Sequence, residues 1–213
     1  MDMNRETELE QRIALTGFLS SLFLTLPDDE MLDSLFSLDW AESDSAGSNE
    51  IARYVEEQKG CAREEVLLDL GRDRARLLRG ANNEGMRSAY ESLYSDAAAN
   101  MSIGSLNRFY GEAGFALADD MHEAVDQIGV EVRFCGLLME RELEALRQQD
   151  PSEADRWREV RGHFMSQHLG RWVHAYAADM RTFARTSFYR GVGMLIDEAF
   201  AADGFLEREP EIR

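Results

Sequence analysis

Hydrophobic residues recur at intervals of three and four along most of the chain, which is the spacing of one face of an α-helix. A first stripe ends at Pro27 and contains Leu15, Phe18, Leu19, Leu22, Phe23 and Leu26. A short apolar repeat in DDEMLDSLFSLDW follows, and AESDSAGSN then interrupts it with residues typical of turns. A second stripe, over about 62–79, contains Val66, Leu67, Leu70, Leu77 and Leu78. Gly80 is placed to end this helix.

After residue 100 the apolar spacing predicts helices in close succession. The first seam contains Ile103, Leu106, Tyr110, Ala113 and Leu117. The seam of a long second helix contains Ile128, Val132, Cys135, Met139, Leu143 and Leu146. On that helix we expect the charged side chains to face elsewhere, namely Glu131, Arg133, Glu140 and Glu144.

The stretch DPSEAD supplies a helix stop and a new helix start. The seam after it contains Trp157, Val160, Phe164, His168, Trp172, Tyr176, Met180 and Phe183. The last helix carries Phe188, Val192, Leu195, Ala199 and Phe200. No segment of useful length alternates apolar and polar residues, so the predicted fold is an all-α helical bundle of roughly seven to nine helices. Residues 81–100 follow neither period and are predicted to form a linker or hinge.

The net charge of the chain limits the classes of partner that it can bind. The chain has 213 residues, of which 41 are acidic and 23 basic, giving a formal charge of −18. Such a field repels nucleic-acid phosphates and anionic membrane surfaces and attracts a cationic partner. No stretch supplies the basic face of a DNA reader, so a helical transcription regulator is disfavoured.

The apolar run IALTGFLSSLFLTL has 14 residues, lacks the flanks of a signal peptide and is too short to span a bilayer. No stable membrane insertion is therefore expected. Cys61 and Cys135 are isolated, so neither a disulfide framework nor a zinc site is indicated. These features together predict a cytoplasmic protein.

Catalytic motifs are scarce. His163, His168 and His174 lie five and six residues apart, whereas two metal ligands on one helix require a separation of four. His168 sits on an apolar seam and is better explained as a hydrogen-bonded core residue. No nucleophile elbow or phosphate loop is present, so neither catalysis nor a cofactor is expected. A helical-bundle enzyme, either a nucleotide hydrolase or a metal-dependent oxidase, remains the alternative.

The acidic turn over 119–126 has two interpretations. It is a solvated connection whose negative charge favours the start of the next helix, or it is a cation-binding lip. In the second case the carboxylates of Asp119, Asp120, Glu123 and Asp126 would be held near a helix start, where they can grip a guanidinium group.

The stretch YESLY, at 90–94, raises a related question, because no predicted core requires two tyrosines among small and polar residues. Tyr90 and Tyr94 are four residues apart with Ser92 between them, so both rings can be presented to a peptide. The alternative is a loop pinned onto a helix by its tyrosines.

Three stretches of the sequence are similar to the motifs of one known protein family. RARLLRGANNEGMRSAYESLY is similar to the family's helix end, glycine loop and Y-E-S-x-Y segment. EAVDQIGVEVRFCGLL is similar to its E-x-P-D-H stretch. FMSQHLGRWVHAYAADMRTFARTSFYRGVGMLI is similar to F-x-x-x-H-L-x-x-W followed by A-x-T-x-F-Y. The order and spacing of all three agree over most of the chain, which therefore resembles the TorD/DmsD family of redox-enzyme maturation chaperones.

The resemblance implies a single all-helical TorD-like domain, with a lobe over about 1–80, a hinge over about 81–100 and a lobe over about 101–213. It also implies a chaperone without catalysis, which binds the twin-arginine signal peptide and the apo form of a molybdenum-containing oxidoreductase, assists cofactor insertion and delays export. A flexible hinge would permit a homodimer by helix exchange, which the sequence leaves open.

Carried over by position, the family's signal-peptide stretch falls on Glu123, Asp126 and Gln127, with Tyr90, Ser92 and Tyr94 beside it. The family prefers proline and histidine on either side of the aspartate, where this chain has Val125 and Gln127. Glutamine is neutral but still donates and accepts hydrogen bonds.

Overall fold

The computed structural model describes residues 3–40, 45–80, 85–94, 99–116 and 123–201. Over these ranges the chain is all-α, as the apolar spacing predicts, and its β-type pairing consists of one isolated bridge. The α-helices are α1 (Met3–Leu24), α2 (Asp29–Ser37), α3 (Ala46–Glu57), α4 (Arg63–Arg79), α5 (Glu91–Tyr94), α6 (Ala99–Glu112), α7 (Ile128–Arg147), α8 (Pro151–Gln167), α9 (Val173–Phe183) and α10 (Ser187–Ala201). In the described part, nine helices have nine residues or more, while α5 is a single turn of four.

Helix boundaries follow local chemistry. Asp28 caps α2 by accepting a hydrogen bond from the backbone N–H of Met31 at 2.8 Å. Gly80 ends α4 with φ at +76°, a conformation in which a side chain would be strained. The predicted stop at Gly80 is therefore confirmed.

The turn predicted from AESDSAGSN is wrong in its second half, because α3 begins at Ala46. Ser45 is the N-cap, and its hydroxyl accepts from the N–H of Ser48 at 3.0 Å. Small residues that favour turns also favour helix starts. The composition alone did not separate the two.

The seam from Trp157 to Phe183 is not a single helix. α8 ends before His168, whose backbone lies at φ −130° and ψ −105°, and a 3-10 turn over Leu169–Arg171 leads into α9. Phe164, His168 and Trp172 are nevertheless all buried. Because the buried spacing continues across the break, the hydrophobic pattern does not reveal it.

Two close helix pairs organise the core: α1 packs against α7, and α3 against α10. A Cβ added at Gly129 of α7 would lie 2.8 Å from the side chains of Phe23 and Leu24. A Cβ at Gly191 of α10 would lie 2.7 Å from the backbone oxygen of Gly47 in α3. Glycine therefore permits both approaches. Each pair joins helices from the two predicted lobes, and the division into lobes stays a prediction.

No helix within the described ranges combines the length and the apolar character needed to cross a bilayer.

Candidate functional site

The YESLY stretch and the acidic segment meet in the structure. Tyr90 forms an antiparallel bridge with Gln127, and the N–H of Glu91 donates to the carbonyl of Asp126 at 2.9 Å. The N–H of Ser92 donates to Asp126 Oδ2 at 3.3 Å. We call residues 89–94 together with 123–128 the α5 junction.

The predicted peptide-binding side chains of the acidic segment differ in exposure. Glu123 is exposed, whereas Asp126 and Gln127 are buried. Gln127 caps α7, with its Oε1 accepting from the N–H groups of Gly129 and Val130. Asp119 and Asp120 lie outside the described residues.

Tyr94 packs at the edge of the hydrophobic core, so the expectation that no core requires it is wrong. Its ring centroid lies 5.5 Å from that of Trp172 and 5.8 Å from that of Tyr176. Its hydroxyl donates to Asp179 Oδ2 at 2.7 Å. Burial, and then the bond to the Asp179 carboxylate, raise the pKa of Tyr94, so the phenol stays protonated at neutral pH. Tyr90 and Ser92 are half-buried.

A buried chain of hydrogen bonds, which we call the relay, holds α5 in place. The carboxylate of Glu91 lies 3.1 Å from Nδ1 of His168, and Nε2 of that ring lies 2.9 Å from Oγ of Ser105 in α6. Glu91 and His168 are almost fully buried. The prediction that His168 is a hydrogen-bonded core residue is confirmed.

Glu131 lies beside this relay and is fully buried, so the expectation that it faces away from the core is wrong. Its Oε2 accepts from Nε1 of Trp172 at 3.2 Å. Burial, and next the charge of Glu91, raise the pKa of Glu131 well above its usual range. The raised pKa favours the neutral acid form of Glu131.

The order Glu91, His168, Ser105 matches the contacts of a hydrolase triad, but its setting differs from a catalytic one. Ser105 is in the middle of α6, where the neighbouring backbone N–H groups are engaged in the helix and cannot stabilise an oxyanion. The relay instead ties together α5, α6 and the end of α8, which is a structural role.

The remaining candidates for metal or redox chemistry are dispersed. His163 is exposed, and Nδ1 of His174 lies 2.9 Å from Oδ1 of Asp197. Cys61 is exposed and Cys135 is buried, and burial raises the pKa of the Cys135 thiol to about 11. Across the ranges that the structure describes, no group of three or more His, Cys, Asp or Glu side chains could hold a metal ion.

The fold and the α5 junction define an all-helical protein in which a short aromatic and acidic turn is pinned to the start of a buried helix. Residues 40–178 match a family model described as "Nitrate reductase delta subunit". The match covers more than half of the chain and all of the junction, and the protein belongs to this family of NarJ/TorD-like chaperones for molybdoenzyme maturation. The resemblance seen in the sequence is thereby confirmed. No curated protein matches the chain.

Sequence reasoning missed several residues that form the α5 junction or contact it. Glu91 stands between the two tyrosines but was not singled out, and Asp179 lies 85 residues from the tyrosine that it binds. Only His168 carried a signal, a polar residue on an apolar seam. The other contacts are long-range pairings, which spacing along the chain does not encode.

Proposed function

We propose that this protein binds the twin-arginine signal peptide and the apo form of a molybdenum-containing oxidoreductase in the cytoplasm. Binding assists cofactor insertion and delays export, and the chaperone itself catalyses no reaction. Family membership supplies the maturation role; the recognition of the signal peptide through the α5 junction is our proposal.

The observation that carries the proposal is the pairing of Tyr90 with Gln127. It joins the aromatic turn to the acidic segment, so ring surface and carboxylates share one region. A twin-arginine peptide combines guanidinium groups with an apolar segment, and its receptor needs both kinds of surface. Exposed Glu123 and a net charge of −18 favour the approach of such a peptide.

Asp126 takes part only if the backbone N–H of Ser92 moves away from its carboxylate. Its carboxylate is buried and accepts from the N–H of Ser92 at 3.3 Å. Displacement of this N–H breaks the long hydrogen bond and exposes a carboxylate to which a guanidinium can bind with two charge-assisted hydrogen bonds. Peptide binding is thus coupled in the proposal to the loss of this one hydrogen bond, while Leu93 and Tyr94 of α5 keep their places.

Titration calorimetry with a synthetic twin-arginine leader tests the function. We expect a dissociation constant in the micromolar range or tighter, with affinity falling as salt is added. A leader in which both arginines are replaced by glutamine should bind far more weakly. Equal affinities for the two leaders, or no binding of either, would reject the proposal.

Asp126→Ala tests the proposed site. It should weaken leader binding at least about tenfold, the scale of one charge-assisted contact. Asp155→Ala is the matched control, because Asp155 is exposed and lies about 20 Å from His168 along α8. An Asp126→Ala variant with the affinity of the control removes Asp126 from the site.

Exchange of helices between two copies is a further part of the proposal. Light scattering coupled to size exclusion, with and without leader, measures the oligomeric state directly.

A further inference from the structure

Arg87, on the segment before α5, lies on the face of Tyr94. The guanidinium carbon of Arg87 is 3.9 Å from the centroid of the tyrosine ring, and its Nη1 donates to the carbonyl of Leu93 at 3.2 Å. The hydroxyl at the far end of the same ring donates to Asp179. The ring and the Leu93 carbonyl thus define a position for one planar cation, and the Asp179 carboxylate is bound to the hydroxyl of the same ring.

This position is built before any cation arrives. Trp172 and Tyr176 pack against Tyr94, so the ring that carries Arg87 is fixed by the core. A guanidinium group stacks on an aromatic face through cation–π attraction, and its edge donates hydrogen bonds. A phenol that donates to a carboxylate becomes more electron-rich, which strengthens that attraction.

Arg87 itself is exposed and follows Gly85, whose φ is +92°. Its side chain can therefore withdraw into solvent without opening the core. The position would then offer the ring of Tyr94, the carbonyl of Leu93 and the nearby Asp179 to another guanidinium.

We propose that Tyr94, Asp179 and the Leu93 carbonyl form a guanidinium subsite, and that Arg87 is its internal occupant, displaced by one arginine of the bound leader. The inference rests on the proposed function and deepens it by assigning one peptide side chain to one position. Arg87 then acts as a competitor within the chain. The apparent affinity for the leader is reduced by the fraction of molecules in which Arg87 occupies the subsite.

Arg87→Gln tests the competition. The variant should bind the twin-arginine leader roughly two- to fivefold more tightly than the wild type, the range of an exposed cation–π contact. Arg108→Gln removes the same charge from an exposed position on α6 and corrects for the general gain in negative charge. A gain no larger than that of Arg108→Gln overturns the subsite.

The ring is tested by Tyr94→Leu, alone and combined with Arg87→Gln. Loss of the ring should weaken leader binding, and the gain from Arg87→Gln should vanish in the double variant. If Tyr94→Leu lowers helicity, Asp179→Asn provides an independent test, because it keeps the ring. This variant should also weaken leader binding. Full retention of the Arg87→Gln gain without the ring would contradict the inference.

Nuclear magnetic resonance separates this inference from the function on which it rests. In the free protein the Arg87 side-chain signals should be shifted upfield by the Tyr94 ring, and added leader should return them to solvent values. Leader binding without this return overturns the subsite alone. Absence of binding by the wild type and by every variant overturns the proposed function. The assignment of a leader arginine to the subsite then falls with it.

Discussion

The Glu91 carboxylate and Nδ1 of His168 face each other at 3.1 Å, and this contact holds the single turn of α5 against the end of α8. Both side chains are buried, so water does not compete for either partner. A helix of four residues has almost no stability of its own. The position of α5, and with it the α5 junction, depends on this pair.

Glu91→Leu should therefore destabilise the protein, because leucine is similar in volume but leaves Nδ1 of His168 without its partner. We expect the free energy of unfolding to fall by about 3 kcal/mol, as measured by urea denaturation. Glu91→Gln, which keeps an acceptor oxygen, should lose less. Glu123→Gln is the exposed control and should leave the midpoint unchanged; a similar midpoint for Glu91→Leu would show that the pair is not structurally important.

Glu131 should make stability depend on pH. In the folded protein its pKa is raised above the ordinary value of 4.5. Below that pH the carboxyl group is therefore neutral in both the folded and the unfolded state and does not lower stability. As pH rises above 4.5 the unfolded chain releases the proton while the folded one retains it, and stability is lost up to the folded pKa. Glu131→Gln removes this loss and can still accept from Trp172.

Urea midpoints at pH 5 and pH 8 test this dependence. The difference between Glu131→Gln and wild type should shift in favour of the variant as pH rises. A constant difference in stability caused by the amide group itself does not affect this change with pH. Glu144→Gln, exposed on the same helix, should show no such shift. A Glu131→Gln difference that stays flat with pH would mean that the buried acid is not kept neutral.

The approach of α1 to α7 should make two glycine-to-alanine changes opposite in sign. Gly129→Ala places a Cβ 2.8 Å from Phe23 and Leu24, and we expect a loss of about 1–3 kcal/mol. Gly17→Ala meets no atom within 4 Å in the exposed middle of α1 and should gain about 0.5–1 kcal/mol. Thermal unfolding of both variants checks the pair. A neutral Gly129→Ala would imply that the helices separate easily.

Much of the helical layout could be predicted from spacing. The seam of α7 is a clear case: Ile128, Val132, Cys135 and Met139 are all buried. Periodicity works here because each residue faces its partner helix at a regular interval. It failed for Glu131, because the first half of α7 is buried on nearly every side, and a charged residue among apolar ones does not reveal how many neighbours surround the helix.

The α5 junction could be predicted only in part. The resemblance placed Tyr90, Ser92 and Tyr94 beside Asp126 and Gln127, and the bridge between Tyr90 and Gln127 shows that these stretches are neighbours. The depth of Asp126 and the packing of Tyr94 were not foreseen. The packing of Tyr94 depends on α9, which is remote in sequence, so no local rule encodes it.

The contact between Gly47 and Gly191 also limits how the chain can fold during synthesis. α3 lies early in the sequence, yet the surface that covers it belongs to α10, close to residue 201. Until α10 has been synthesised, Ile51 and the apolar residues beside it in α3 lack this packing partner and remain exposed to water. The protein therefore completes the packing of α3 only after α10 has left the exit tunnel.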